Sequence, residues 1–247
     1  MEVTILKLGG ALITNKRKGV FDRARVRIIE RIAEEIADSL SGRLIIIHGA
    51  GSFGHPYVEK YGMEELKRNI HGVSDTHLAC ERLCSIVCRA LINSGVSPAP
   101  IHPFSAFRVE RGRIIFDRRI FTRLIEEGFI PVTHGDVVSG DDGWRVLSGD
   151  DIAVELAVSF GARRVGFATN TQIVLNGRKV KEFSISSSSL TESRSSRVSD
   201  VTGGMQGKLK KVERIAGSSE VFIFSGLKRG SISAFLRGES VGTRILP

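Results

Sequence analysis

The sequence predicts an α/β fold: a three-layer αβα sandwich with a mainly parallel central sheet. Two observations point to it. Short apolar runs alternate with segments of helical periodicity along 247 residues, the pattern of strands joined by crossover helices. Glycine-containing turns then follow three of the apolar runs, at Gly9-Gly10, at Gly49 to Gly54 and at Gly135. Parallel sheets bind ligands at the C-terminal ends of their strands, where those turns fall. A chain of this length buries a full core. We read it as one domain over residues 1–247, with residues 1–160 and 161–247 as two joined lobes.

The elements follow in order. Val3–Leu8 is apolar and extended, and Arg25–Leu40 is apolar at Val26, Ile29, Ile32, Ala33, Ile36 and Leu40, one helical face. Arg43–Ile47 contains the continuous run Leu44-Ile45-Ile46-Ile47 of a strand buried on both faces. A helix is predicted over Ser74–Asn93, started by Ser74 or Asp75 and stopped at Gly95. Ile114–Phe116 reads as extended, Phe121–Glu127 as helix and Phe129–Thr133 as a strand feeding His134-Gly135-Asp136. Helices over Asp150–Phe160 and Gln206–Ala216 alternate with strands over Arg164–Ala168 and Glu220–Phe224. Ser184 to Ser199 has no apolar period and reads as a surface loop or a lid before Gly203-Gly204.

Composition narrows the function. The net charge of +9 admits nucleic acid, a membrane surface or small anions. Lys and Arg are scattered, with two Tyr and one Trp, so the stacking platforms of a nucleic-acid binder are not expected. No run of about eighteen apolar residues spans a membrane. Met1 leads directly into the first strand with no signal-peptide pattern, which makes the cytoplasm the expected compartment. Cys80, Cys84 and Cys88 share one stripe of a predicted helix. Such a stripe closes poorly around a tetrahedral metal, so small buried residues are expected and no metal ligand is assigned.

Four segments carry chemistry. Lys7-Leu8-Gly9-Gly10 ends the first strand, with Lys16 nine residues after Lys7. Adjacent glycines admit a phosphate to the backbone and lysines neutralise its charge, although the Gly-Lys-Ser/Thr of a P-loop is absent. His48-Gly-Ala-Gly-Ser-Phe-Gly-His55 leaves the second strand as a glycine turn able to aim several N–H groups at one anion, with His55 in reach of it. Leu147-Ser148-Gly149-Asp150-Asp151 opens a helix, where an aspartate serves either as N-cap or as a carboxylate holding two lysines. Asp200 to Lys208 opens another. Lys208 in its first turn opposes the helix dipole, a placement that an anionic ligand would offset.

The order Lys7, Lys16, Gly49–His55, Asp150, Lys208 resembles the amino acid kinase superfamily over nearly the whole chain. Within it, Ile13-Thr14-Asn15-Lys16, the segment ending at His55, and Thr76-His77-Leu78-Ala79 are similar to the isopentenyl phosphate kinases. The resemblance implies ATP as phosphoryl donor, Mg²⁺ carried with it, a prenyl monophosphate as acceptor and a homodimer. It implies that Lys7, Gly9, Gly10, Gly51, Asp150, Gly204 and Lys208 serve the nucleotide, and that Ala50, Gly54, His55 and Gly135 serve the acceptor. Lys16, Lys7, His55 and Asp150 would be catalytic, with Asp150 organising Lys7 and Lys208. Val73, Thr76, His77, Cys80, Phe104 and Val132 are candidates for an apolar pocket around the prenyl tail.

Two departures stand out. Ala11 replaces a common serine, and Ala168 to Val174 lacks the Asp-Gly turn that relatives commonly place at the nucleotide. Two alternatives fit the same residues. One is a kinase for another small phosphate or phosphonate, as in the fosfomycin kinases; the other is a non-catalytic nucleotide-binding module.

Overall fold

The computed structural model describes residues 2–15, 17, 19–175, 177–185 and 203–247. The chain opens with β1 (Val3–Leu8), the short helix α1 (Gly10–Ile13), α2 (Val26–Ser39) and β2 (Arg43–His48). A single 3₁₀ turn at Gly51–Phe53 leads to α3 (His55–Tyr61), α4 (Met63–Leu66) and the long α5 (Ile70–Asn93). Next come β3 (Pro98–Pro100), α6 (Pro103–Ala106), the hairpin β4 (Phe107–Glu110) and β5 (Arg113–Phe116), then α7 (Arg118–Glu126) and β6 (Ile130–His134). A second hairpin, β7 (Asp136–Gly140) and β8 (Gly143–Leu147), precedes α8 (Gly149–Phe160) and β9 (Arg164–Thr169). The rest comprises β10 (Val174–Leu175), β11 (Arg178–Lys179), β12 (Glu182–Ser184), α9 (Gly203–Ala216), β13 (Glu220–Ser225), α10 (Ser231–Leu236) and β14 (Thr243–Leu246).

Eight strands form one sheet in the order β12-β14-β13-β9-β1-β2-β6-β3. It is parallel from β13 to β3, with β14 antiparallel to β13. The fold class read from the alternation is therefore the observed one. The first half of the chain builds outward from β1 on one side, and β9 and β13 build outward on the other. That reversal of strand order opens a crevice at the C-terminal end of β1. The two hairpins form a separate four-stranded sheet, β5-β4-β7-β8, which leaves β6 through the single residue Gly135.

The period of two along a strand decides which helix layer each side chain meets. Val3 and Ile5 of β1 pack with Ile152 and Leu156 of α8 and Val212 of α9. Leu6 and Leu8 face the other way, toward Ile32 of α2, Leu83 of α5 and Phe235 of α10. Lys7 follows the parity of Val3 and Ile5, so it ends on the α8–α9 face. His48 and His134 follow Ile46 and Val132 onto the α5 face, opposite one another in register.

Three predicted helix starts move. Helix α7 begins at Arg118, three residues before Phe121, with Asp117 as N-cap accepting the Arg119 N–H at 2.9 Å. Helix α5 begins at Ile70, four residues before Ser74, because Asn69 accepts the Gly72 N–H at 2.9 Å as N-cap. Gly72 leaves room for the Tyr61 ring: a Cβ there would lie 2.7 Å from it. Helix α9 starts at Gly203 rather than Gln206, which puts Lys208 in the second turn instead of the first. Within the serine-rich segment, Ser184 closes β12 and residues 186–199 lie outside the described residues.

Gly166 of β9 shows how closely α10 sits on the sheet. A Cβ at Gly166 would come within 2.6 Å of the Phe235 ring, itself fully buried. Gly166→Ala should therefore cost about 1–3 kcal/mol in urea unfolding, whereas Gly217→Ala, with open space around it, should stay within roughly 0.5 kcal/mol of the parent. Equal midpoints for the two variants would contradict this packing.

Candidate active site

Because β1 and β2 are adjacent and parallel, their terminal turns emerge side by side. A Cβ on Gly10 would lie 2.6 Å from the Gly51 nitrogen, and one on Gly49 2.7 Å from the Gly10 nitrogen. The turns are thus packed backbone against backbone. Gly51 also has φ +55°, a left-handed conformation that glycine adopts without strain. Thr14 ties the pair: its Oγ1 donates to Gly10 O at 2.7 Å and accepts the Ser52 N–H at 3.0 Å.

These turns floor a cavity of about 840 Å³, within the usual range for small-molecule sites. It is lined by Lys7, Gly9, Gly10, Ala50, Gly51, Gly54, His55, Gly135, Asp150 and Lys208, which the sequence reading had singled out. Gly204 stands in the first turn of α9, and Lys16 lies outside the described residues. His55 is the first residue of α3 and is exposed at the cavity wall. At Gly135 a Cβ would lie 3.0 Å from the Gly149 nitrogen, so this crossing from β6 to β7 also packs as bare backbone.

Three elements converge on Asp150. Lys7 Nζ at the end of β1 is 2.6 Å from Oδ1, and Lys208 Nζ on α9 donates to Oδ2 at 2.7 Å. Asp150 is not the N-cap of α8. Ser148 is, accepting the Asp151 N–H at 3.2 Å, and this frees Asp150 to reach both lysines. Burial pushes the Asp150 carboxyl up, but Lys7 and Lys208 outweigh it and hold the group well below the usual carboxylate range. Burial lowers Lys208 to about 7, with the Lys7 charge adding to it; Asp150 offsets only part. The opposition of Lys208 to the helix dipole is met within the protein by Asp150.

At the other end the lining turns apolar, with Val58, Thr76, Cys80, Val137 and Val146. Of the six candidates for a tail pocket, Thr76 and Cys80 line the cavity. Val73 and Val132 are packed in the core. His77 Nδ1 lies 2.8 Å from Asp136 Oδ2, and its ring stacks on Phe104 at 4.3 Å, with Trp144 stacked beyond. Cys80, Cys84 and Cys88 are free and buried. Thr169, Asn170 and Thr171 of the altered turn do line the cavity.

The lining residues that the sequence reading did not assign to the site include Asp136 and Lys211. Asp136 directly follows Gly135. Lys211 donates to Asp151 Oδ2 at 2.7 Å and to Ser148 Oγ at 2.8 Å. Its signal was present, since Lys211 follows Lys208 by three positions on a helix, which places both on one face.

Residues 2–225 match the model of the amino acid kinase family. The chain belongs to the amino acid kinase family. Among curated members it is 35% identical over 252 residues to the isopentenyl phosphate kinase of Haloferax volcanii, with 99% of each chain covered. To that of Methanothermobacter thermautotrophicus it is 34% identical, with 98% of each covered. A crystal structure of an isopentenyl phosphate kinase superposes with a TM-score of 0.83 at 31% identity, over 99% of this chain and 100% of that one.

In this amino acid kinase family member, the aspartate bridge joins β1, α8 and α9 at the cavity. Asp150→Asn would leave two buried ammonium groups without their counter-charge, and should cost about 3 kcal/mol at pH 7. The Asp150 contribution is present above the ordinary carboxylate pKa and is lost as pH falls through the depressed folded value. The gap between parent and variant should therefore begin to narrow below about pH 4 and keep shrinking as the pH falls further. Urea unfolding across that range measures it, and coincident curves at pH 7 would show that the bridge adds nothing to stability.

Proposed function

We propose that the chain transfers the γ-phosphoryl group of ATP to isopentenyl phosphate, giving isopentenyl diphosphate. The observation that carries this reading is the single cavity, with a bare-backbone and lysine-lined end continuous with an apolar end, and His55 on its wall. Full-length similarity to isopentenyl phosphate kinases supports it. So does the apolar lining, which suits a prenyl tail and has no use for the charged acceptor of a glutamate-type kinase. Residues 1–160 supply the acceptor lobe and 161–247 much of the nucleotide lobe.

In the reaction, an oxygen of the acceptor phosphate forms a bond to the γ-phosphorus as the bond from that phosphorus to the bridging oxygen of ADP breaks. ADP leaves with the electron pair. The acceptor monoester is mostly ionised at pH 7, so no general base is required and catalysis rests on alignment and charge neutralisation. Lys7 and Lys208 hold the donor phosphates, Lys16 neutralises the group in transfer, and the backbone of Gly9, Gly10 and Gly51 brings N–H groups to the phosphates. Ala50, Gly54 and Gly135 let the acceptor phosphate approach the backbone, and the His55 ring donates to it. Asp150 positions both lysines. Its two oxygens are taken by them, and Asp136 is engaged by His77 and the Val137 N–H. That donor set fits a Mg²⁺ held by the nucleotide's phosphates and water, where it would add positive charge to the transferring group.

Exposed Leu78 and Ile92 on α5 support a homodimer through that helix. The three free thiols support a reducing, cytoplasmic setting. Among the described residues no helix is long and apolar enough to cross a membrane.

His55→Ala should raise the KM for isopentenyl phosphate roughly 10- to 100-fold, the value of one hydrogen bond to a charged group, with the KM for ATP little changed. Lys16→Ala should instead lower kcat and spare ATP binding. Turnover of isopentenyl phosphate no better than that of fosfomycin would overturn the acceptor. A Lys208 near neutrality further predicts proton uptake on ATP binding at pH 8, because phosphate restores its charge. Calorimetry in buffers of different ionisation enthalpy should show this for the parent and not for Lys208→Arg.

A further inference from the structure

Behind the acceptor end of the cavity, on the α5 face of the sheet, three side chains meet that phosphoryl transfer does not use. Cys84 comes from α5, His102 from the connection after β3, and His134 from the end of β6. One donor atom from each lies within 4.8 Å of the other two. We propose that Cys84, His102 and His134 form a site for a zinc-class divalent cation, one that clamps α5 and the β3–α6 connection to the end of β6.

The donor set fits such an ion. One thiol and two imidazoles are borderline-soft ligands, the chemistry of Zn²⁺ rather than Mg²⁺, and three protein ligands leave a fourth position for water. His102 Nδ1 and His134 Nε2 face each other at 3.0 Å. Two nitrogens on a tetrahedral zinc are about 3.3 Å apart, so the rings need part by only a few tenths of an ångström. His134 is already oriented from behind: its Nδ1 lies 3.1 Å from Gly135 O, the carbonyl contact that directs Nε2 forward as a ligand. Cys84 and His134 are fully buried, whereas His102 is partly exposed and gives the ion its way in.

The protons balance. Without metal, His102 Nδ1–H donates to His134 Nε2. On binding, that proton moves to Nε2 of His102 as the neutral ring changes tautomer, and the Cys84 thiol releases one proton as it becomes the thiolate ligand. Cys88, with its sulfur 4.0 Å from that of Cys84, lies outside the triad.

The test uses the full chain, stripped with chelator and titrated with Zn²⁺ and separately with Co²⁺. Uptake of one ion per chain is expected, together with a thiolate-to-cobalt charge-transfer band in the near ultraviolet. Saturating Zn²⁺, at a hundred times Kd, should raise Tm by roughly 5–10 °C. Cys84→Ser should abolish the band. His102→Gln, at the partly exposed corner and so tolerant of change, should abolish tight uptake, while Cys88→Ser should keep both. No uptake by the parent, or a band that persists in Cys84→Ser and His102→Gln, would overturn the site.

Discussion

The molecule turns on one steric constraint: the ends of β1 and β2 meet with nothing but backbone between them. Gly10 and Gly49 occupy positions where a Cβ would fall inside the neighbouring main chain, and one on Gly51 would meet Gly10 O and the Thr14 side chain that ties the two turns. This closeness is what makes the cavity floor a row of peptide groups rather than side chains, and only peptide N–H groups can surround an anion so compactly. It also fixes what lies above. With the turns in contact, Lys7 leaves β1 on the face of α8 and α9, and the helices that follow can bring Asp150 and Lys208 to it. The glycines are thus a fold requirement, and under the proposed function a binding requirement as well.

Charge is then arranged against an unfavourable background. Three buried or half-buried ionisable groups share the space beside Phe167 and the sheet end, and one carboxylate cannot satisfy two ammonium groups fully. The structure resolves the imbalance by leaving Lys208 easily discharged, near 7, while Asp150 stays firmly ionised. In the proposed reaction an arriving phosphate would complete a charge arrangement that the protein alone leaves short of negative charge. Preorganisation of this kind keeps the lysines in position before the ligand comes, so that little reorganisation accompanies transfer.

The framework and the phosphate end were legible in the sequence because both depend on local signals. Apolar runs marked β1, β2, β6, β9 and β13, and each glycine turn sat directly after its strand. What was not legible depends on contacts between distant segments. The start of α5 was placed at Ser74 or Asp75, because nothing in the sequence marks that Gly72 lies inside the helix with the Tyr61 ring against it. Spacing alone left Lys208 opposing a helix dipole, because Asp150 is 58 positions away; their pairing was implied only by the family resemblance. Val73 and Val132 read as pocket residues because an apolar side chain carries no sequence mark that separates a cavity wall from a core. The triad of Cys84, His102 and His134 was invisible for the same reason: a stripe of cysteines on one helix gives no sign that two histidines from other elements will close on one of them.

The two ends of the cavity come from different parts of the architecture. The large sheet supplies the glycine turns and the lysines, which any phosphoryl acceptor would need. The apolar end is supplied by α3 and α5 and by the β7–β8 hairpin of the small sheet, through Val58, Thr76, Cys80, Val137 and Val146. The hairpin follows β6 of the large sheet after the single residue Gly135, and it is steadied by a stack in which Trp144 lies on Phe104 and Phe104 on His77, itself held by Asp136. Side chains on a short hairpin can change volume without disturbing the close backbone contact at β1 and β2. Under the proposed function, acceptor selectivity could therefore be altered on this fold while the transfer chemistry stays in place, with the division between the two at Gly135.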